Sequence, residues 1–200
     1  MLLSRYIVAL TGASGVIYGL KLIAQLMQRD HEVHLVVSEP AALVLAQEMD
    51  WPNEKTLEII LREYLPTGKL YFYKNSDIGA RIASGSFITE AMLIIPCTMS
   101  TLASVANGMS NNLIERAADV MLKENRPLIL VPRETPLSSV HLRNMLRLAD
   151  MGVSIVPAMP AFYHRPDSVD EMVLFMVGKV LDIMKIPHDI FRRYEGAPVD

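Results

Sequence analysis

The chain reads as an α/β protein, a three-layer Rossmann-like or flavodoxin-like domain with a central parallel sheet flanked by helices. Two observations predict this. Short apolar runs of four to six residues alternate with stretches of helical periodicity, the pattern of βαβ units. Nearly every apolar run is also followed at once by Gly, Ser, Thr or Arg. Tyr6–Leu10 leads into Thr11-Gly-Ala-Ser-Gly15, and Val33–Val37 into Ser38. Met92–Pro96 leads into Cys97-Thr-Met-Ser-Thr101, Leu128–Pro132 into Arg133-Glu134, and Val153–Pro157 into a loop holding Tyr163, His164 and Arg165. Open α/β sheets bind ligands in the crevice at the carboxyl ends of their strands, so these clusters mark one edge of a parallel sheet as a small-molecule site.

The elements follow in order. Strands are expected near 5–11, 32–38, 69–73, 91–96, 127–132 and 153–157. Helices are expected near 15–29, 39–49, 54–64, 99–107, 110–124, 138–150 and 168–185. The first helix gathers Val16, Leu20, Ile23, Ala24 and Met27 on one face, with Lys21, Gln25 and Gln28 elsewhere. The last opens on Asp167-Ser168, which suit an N-cap, carries Glu171 in its first turn and stops at Pro187. Residues 74–89 lack a clear pattern, and a loop that long in a compact domain is usually functional or mobile. The expected organisation is one domain over 1–200, with 185–200 as a tail on the surface or against a neighbouring subunit.

Composition narrows the function. The 200 residues, 51% hydrophobic, suffice for one well-packed core. A net charge of -3 without a basic stripe speaks against nucleic acid. The single cysteine, Cys97, rules out a disulfide framework and fits a reducing compartment. The run Ile7–Leu10 is far too short for a signal segment or membrane span, so a cytoplasmic protein with no membrane partner is expected. A mean hydropathy of +0.26 suggests apolar surface buried between subunits.

The candidate site residues carry two anionic demands. Gly12, Ala13, Ser14 and Gly15 lie between a strand and a helix, where glycines admit close backbone approach and the helix start offers N–H groups to a phosphate. A ligand-free tight turn is the plainer alternative. The glycines fall at 12, 15 and 19, so the G-x-G-x-x-G dinucleotide fingerprint is absent; no tyrosine has a lysine four residues on, and NAD is disfavoured. Thr98, Met99, Ser100 and Thr101 open a helix and suit an anion or a polar ring edge, although capping needs only one of the hydroxyls. Cys97 reads as a buried thiol rather than a nucleophile. Glu115 and Asp119 suit a solvated ion-pair face. Arg133 can fork onto a phosphate and Glu134 can move a proton. Lys123, Arg133, Tyr163 and Lys179 together suit a second phosphate, although Lys179 alone would read as an ordinary exposed lysine.

Across nearly its whole length the sequence resembles the UbiX-type flavin prenyltransferases. The matching stretches are Leu10–Gly15, Asn111-Asn-Leu-Ile-Glu-Arg-Ala-Ala-Asp119, Arg126–Pro136, His141-Leu-Arg-Asn-Met145 and Pro160-Ala-Phe-Tyr-His-Arg-Pro166. The resemblance implies an FMN-binding homo-oligomer built from trimers, commonly a dodecamer. It implies metal-independent transfer of a dimethylallyl group from dimethylallyl phosphate to reduced FMN, at N5 and then by ring closure at C6. The prenylated FMN would serve a UbiD-type decarboxylase, in a family linked to ubiquinone biosynthesis. By position, Gly12, Ala13, Ser14, Ser38, Thr98, Met99, Ser100, Thr101 and Arg133 would contact FMN. Ser14 would lie near N5 with Glu48 beside it. Lys123, Arg133, Tyr163 and Lys179 would hold the prenyl phosphate, and Glu134 would assist proton transfer there. Arg116, Ser84 and Gly85 would line the substrate side, with part of the surface drawn from neighbouring subunits. Lys179 stands where some members have Arg, and Ile78-Gly79 where some have an aromatic. The alternatives are an FMN-dependent decarboxylase of the peptidyl-cysteine type, whose Pro-x-Ala-Asn motif is absent, and a non-catalytic FMN carrier.

Overall fold

The computed structural model describes residues 4–51, 54–194 and 196. Six strands, β1 (Arg5–Leu10), β2 (Glu32–Val37), β3 (Leu70–Lys74), β4 (Ala91–Cys97), β5 (Leu128–Pro132) and β6 (Ser154–Ile155), form one parallel sheet in the order β3-β2-β1-β4-β5-β6. The helices are α1 (Val16–Met27), α2 (Glu39–Glu48), α3 (Leu57–Tyr64), α4 (Met99–Ala106), α5 (Leu113–Lys123), α6 (Ser139–Asp150) and α7 (Val169–Ile183). The strand order reverses between β1 and β4, and that switch point opens the crevice a doubly wound sheet uses for ligands.

The strands are apolar runs because both their faces are covered. All seven residues of β4 are buried, as are the last five of β1 and of β2. On one face α1, α2, α3 and α7 pack Leu20, Ile23, Leu45, Leu61, Val177 and Leu181 against Val8, Leu35 and Leu93. On the other, α4, α5 and α6 pack Leu102, Ala117, Met121 and Leu148 against Ile7, Ile94 and Leu130. The sixth strand is shorter than its apolar run predicts. The amides of Val156 and Ala158 still bond to Leu130 and Pro132, but Pro157 between them has no N–H to donate.

Five of the seven described helices start on side-chain caps. The hydroxyls of Ser38, Thr98, Ser138 and Ser168 and the amide oxygen of Asn112 each accept an N–H of the following turn. Asn112 explains why α5 begins three residues later than its periodicity suggests. The long segment 75–89 is fastened rather than free. The backbone and side-chain oxygens of Asn75 accept the amides of Leu113 (2.8 Å) and Ile114 (3.1 Å), and a 3-10 turn over Arg81–Ala83 buries Ile82. The described part of the tail folds back on α7. Asp182 accepts two bonds from Arg193 (2.7 and 3.1 Å), and Phe191 covers Gly178. Residues 195 and 197–200 of the expected tail lie outside the described residues. No helix among the described residues is long and apolar enough to cross a membrane.

Candidate active site

The crevice is stitched shut at its base by Thr11, a residue 2% exposed at the carboxyl end of β1. Its hydroxyl donates to Pro96 O (2.9 Å) and accepts from Thr98 N (2.8 Å), while its own amide donates to Pro96 O (3.2 Å). One hydroxyl thereby couples the loops after β1 and β4, using both its donor and an acceptor site. Sequence reading placed Thr11 in the loop motif but gave it no role. The adjacency of β1 and β4, which makes the bond, is not visible in local pattern.

The two helix starts beside Thr11 differ. At α4, Thr98 Oγ1 accepts Thr101 N (3.2 Å) and donates to Thr101 Oγ1 (3.0 Å). The amides of Met99 and Ser100 have no acceptor within the helix, and they carry the positive end of its dipole. At α1, by contrast, the position is filled by the chain itself. Glu48, at the end of α2, accepts Gly15 N through both oxygens (3.1 and 3.0 Å) and Val16 N (3.1 Å). This corrects the expectation that residues 12–15 cradle a phosphate at the start of α1: a resident carboxylate stands there. Gly12 is likewise demanded by packing, since a Cβ there would stand 2.5 Å from Pro40 Cβ. Ala13 is buried, Ser14 is exposed, and Gly15 sits at φ +94°, in the left-handed region. Ser38 caps α2 through Ala41 N (3.2 Å) at the end of β2.

Arg133 reaches into this crevice from the end of β5. Its amide donates to Cys97 O (3.4 Å) and its Nε to Ser14 O (3.3 Å), so it spans β5, β4 and the loop after β1. Glu134 is exposed, with Oε1 accepting Thr135 N (3.1 Å). Both border a cavity of about 60 Å³ whose other walls include Leu137, Met145 and Met159. Cys97 lies fully buried beneath, and burial pushes its thiol pKa far up, as expected of a packing residue.

The remaining predicted residues do not line that cavity. Helix α5 returns the chain to the amino end of β5, so Lys123, in its last turn, lies at the opposite edge of the sheet. Its Nζ stands 3.6 Å from Glu124, whose carboxylate in turn lies against Gly85; Ser84 and Gly85 precede β4 on that same edge. Arg116, further back on α5, pairs with Asp119 at 3.5 Å. Tyr163, in the loop after β6, and Lys179, on α7, keep partners of their own. Tyr163 packs its ring on Phe175 and Tyr194, and Lys179 lies 3.9 Å from Asp182. Within a single chain, Lys123, Arg133, Tyr163 and Lys179 thus keep separate partners.

Residues 3–193 match the family model described as Flavoprotein. The chain is 47% identical over 195 residues to the flavin prenyltransferase UbiX of Pseudomonas aeruginosa, covering 95% of this chain and 93% of that one. The chain belongs to the Flavoprotein family, in its UbiX branch. Among solved structures, this UbiX-type chain is similar to AnUbiX (PadA1) in complex with FMN and dimethylallyl pyrophosphate, with a TM-score of 0.90 and 38% identity over 98% of this chain and 100% of that one. It is also similar to a dodecameric FMN-dependent Ubix-like decarboxylase from Escherichia coli O157:H7, with a TM-score of 0.86 and 42% identity over 96% of this chain and 100% of that one. A PPC decarboxylase mutant at 19% identity and a TM-score of 0.62 shares the fold alone with this UbiX-type flavoprotein.

The residues present fit FMN. The amides of Met99 and Ser100 suit its phosphate. The exposed Ser14 and the Arg133 guanidinium beside it suit the polar edge of a flavin ring.

Proposed function

We propose that this UbiX-type chain is a flavin prenyltransferase, which moves a dimethylallyl group from dimethylallyl phosphate to reduced FMN and makes prenylated FMN for a UbiD-type decarboxylase. The observation that carries the reading is the switch-point crevice, with Arg133 and Glu134 at its mouth, in a chain whose backbone matches that of a relative holding FMN and dimethylallyl pyrophosphate. When bound, reduced FMN supplies the nucleophilic N5 and C6 that accept the prenyl carbon atoms. The chain's own residues do the rest. Gly12, Ala13, Ser14, Ser38, Thr98–Thr101 and Arg133 hold and orient the cofactor. Breaking the prenyl C–O bond builds negative charge on the leaving phosphate, and Arg133, Lys123, Tyr163 and Lys179 meet it with cations and a hydroxyl. Glu134 delivers or takes the proton at a phosphate oxygen, and Ser14 orients the flavin edge.

Glu48, expected beside Ser14, acts on the loop that carries it. Its carboxylate is engaged by two amides, so it fixes the turn that carries Ser14. Ser84 and Gly85 serve the prenyl side from the edge of the sheet that carries Lys123, and Arg116 serves it from the first turn of α5. Because that edge and the crevice lie at opposite ends of the same strands, the complete site needs more than one copy. This supports a homo-oligomer, built from trimers into a dodecamer like the Escherichia coli relative. A reducing, cytoplasmic setting suits the buried free thiol and the reduced flavin.

The test is anaerobic incubation of the purified protein with reduced FMN and dimethylallyl phosphate, followed by mass measurement of the extracted flavin. A flavin heavier by one dimethylallyl unit is expected. Bound but unmodified FMN would overturn the reading in favour of a carrier or a decarboxylase.

A further inference from the structure

The edge of the sheet opposite the crevice carries two groups far apart in sequence, the turn Ser84–Phe87 and Lys123 at the end of α5. The structure joins them through two residues that no site motif singled out. Arg126, with a side chain only 17% exposed, donates from Nη1 to Phe87 O (3.0 Å) and from Nη2 to Gly85 O (2.6 Å). Nη2 also lies 3.9 Å from Glu124, and the same Glu124 carboxylate stands 3.6 Å from Lys123 Nζ. A Cβ at position 85 would collide with that carboxylate, so the turn and Glu124 are in direct contact.

The turn is gripped from its other side as well. The Phe87 ring lies under the guanidinium groups of Arg5 (5.2 Å) and Arg81 (5.7 Å), with the buried His34 ring edge-on at 5.0 Å. Held at its carbonyls and at its aromatic ring, the turn leaves the hydroxyls of Ser84 and Ser86, 2.9 Å apart, on the exposed side. Lys123 is exposed beside it.

We propose that Arg126 is a positioning residue for the prenyl phosphate: by forking onto the carbonyls of Gly85 and Phe87 while holding Glu124, it sets the Ser84–Ser86 turn and Lys123 in one fixed relation. The proposal rests on the prenyltransferase reading, in which that turn and Lys123 face the substrate. The fork matters chemically. A guanidinium offers parallel donors in a rigid plane, and a lysine ammonium at the same place cannot meet both carbonyls and the carboxylate in that geometry.

The test compares wild type, Arg126→Met and Arg126→Lys as the FMN-loaded assembly. Three measurements are made: the binding isotherm of dimethylallyl phosphate by calorimetry, the kinetics of prenyl transfer for KM and kcat, and the FMN affinity by flavin fluorescence. Displacing a substrate contact by a fraction of an ångström is expected to weaken dimethylallyl phosphate binding and raise its KM by about tenfold or more in both variants. FMN affinity should stay within about twofold, since the crevice residues are untouched. An unchanged isotherm and KM with only a lower unfolding temperature would overturn the proposal, leaving Arg126 a purely structural residue. Full retention of the wild-type KM by Arg126→Lys would overturn the role of the fork. If wild type binds dimethylallyl phosphate but makes no product, the prenyl-transfer reading fails by itself, and the isotherms still decide whether Arg126 positions the phosphate site. If wild type does not bind it, both fail.

Discussion

Replacing Thr11 by Val removes one hydroxyl from the base of the crevice and almost nothing else, because the two side chains are close in shape. Two hydrogen bonds are lost, the donation to Pro96 O at 2.9 Å and the acceptance from Thr98 N at 2.8 Å. Each is worth about 1 kcal/mol net, and the Thr98 amide, partly shielded from water, adds a further penalty of about 1 kcal/mol when left without its acceptor. Pro96 O keeps the Thr11 amide at 3.2 Å, so its own loss is partial. The expected destabilisation is about 2–3 kcal/mol. For a domain of this size that lowers the unfolding temperature by about 5–10 °C. The same bond holds the first turn of α4 against β1, so FMN affinity should fall together with stability. The assay is urea unfolding of FMN-free protein at one fixed protein concentration, paired with FMN titration by fluorescence quenching. Thr11→Ser, which keeps the hydroxyl, should recover most of both losses. A Thr11→Val protein within about 0.5 kcal/mol of wild type and with unchanged FMN affinity would refute the coupling of the two loops through this residue.

Two further outcomes follow from the site and the core. Glu134→Gln and Ser14→Ala should each leave FMN bound and slow prenylation by about tenfold or more, since each alters a group expected to act at the reacting atoms; unchanged turnover in both would remove the roles assigned to them. His34 is wholly buried, and burial lowers its pKa from the usual 6.5 to about 4, outweighing the opposing pull of Glu32. Below pH 6.5 the unfolded chain therefore binds a proton that the folded chain refuses. Stability from this group is complete above pH 6.5, declines as pH falls toward 4, and the loss amounts to about 3 kcal/mol. His34→Gln should flatten the stability profile over that window, and equal slopes in the two proteins would count against the buried neutral imidazole.

The sequence by itself determined the order and type of the elements, because those depend on neighbours a few residues apart. Continuous apolar runs mark strands covered on both faces. Ser38, Thr98, Asn112, Ser138 and Ser168 mark helix starts because their side chains bond to amides two or three residues on. The same locality placed Ser14, Thr98–Thr101 and Arg133-Glu134 at the carboxyl edge of the sheet, since each follows a strand directly. Family likeness pointed to FMN and set Glu48 beside Ser14, but it did not show which amides the Glu48 carboxylate holds.

Such contacts were decided by the tertiary structure. Thr11 couples to Thr98, 87 residues away, only because β1 and β4 are neighbours in the sheet. Glu48 reaches the start of α1 across 33 residues and occupies the place assigned to a phosphate. Lys123 and Gly85 fall at the far edge because a connection between two parallel strands must return the chain to where the next strand begins. Local pattern sets a residue's conformation and which side of its element it occupies. The packing of elements against one another sets which charges and hydroxyls come within hydrogen-bonding distance, and at 3 Å a displacement of one ångström decides whether the bond exists.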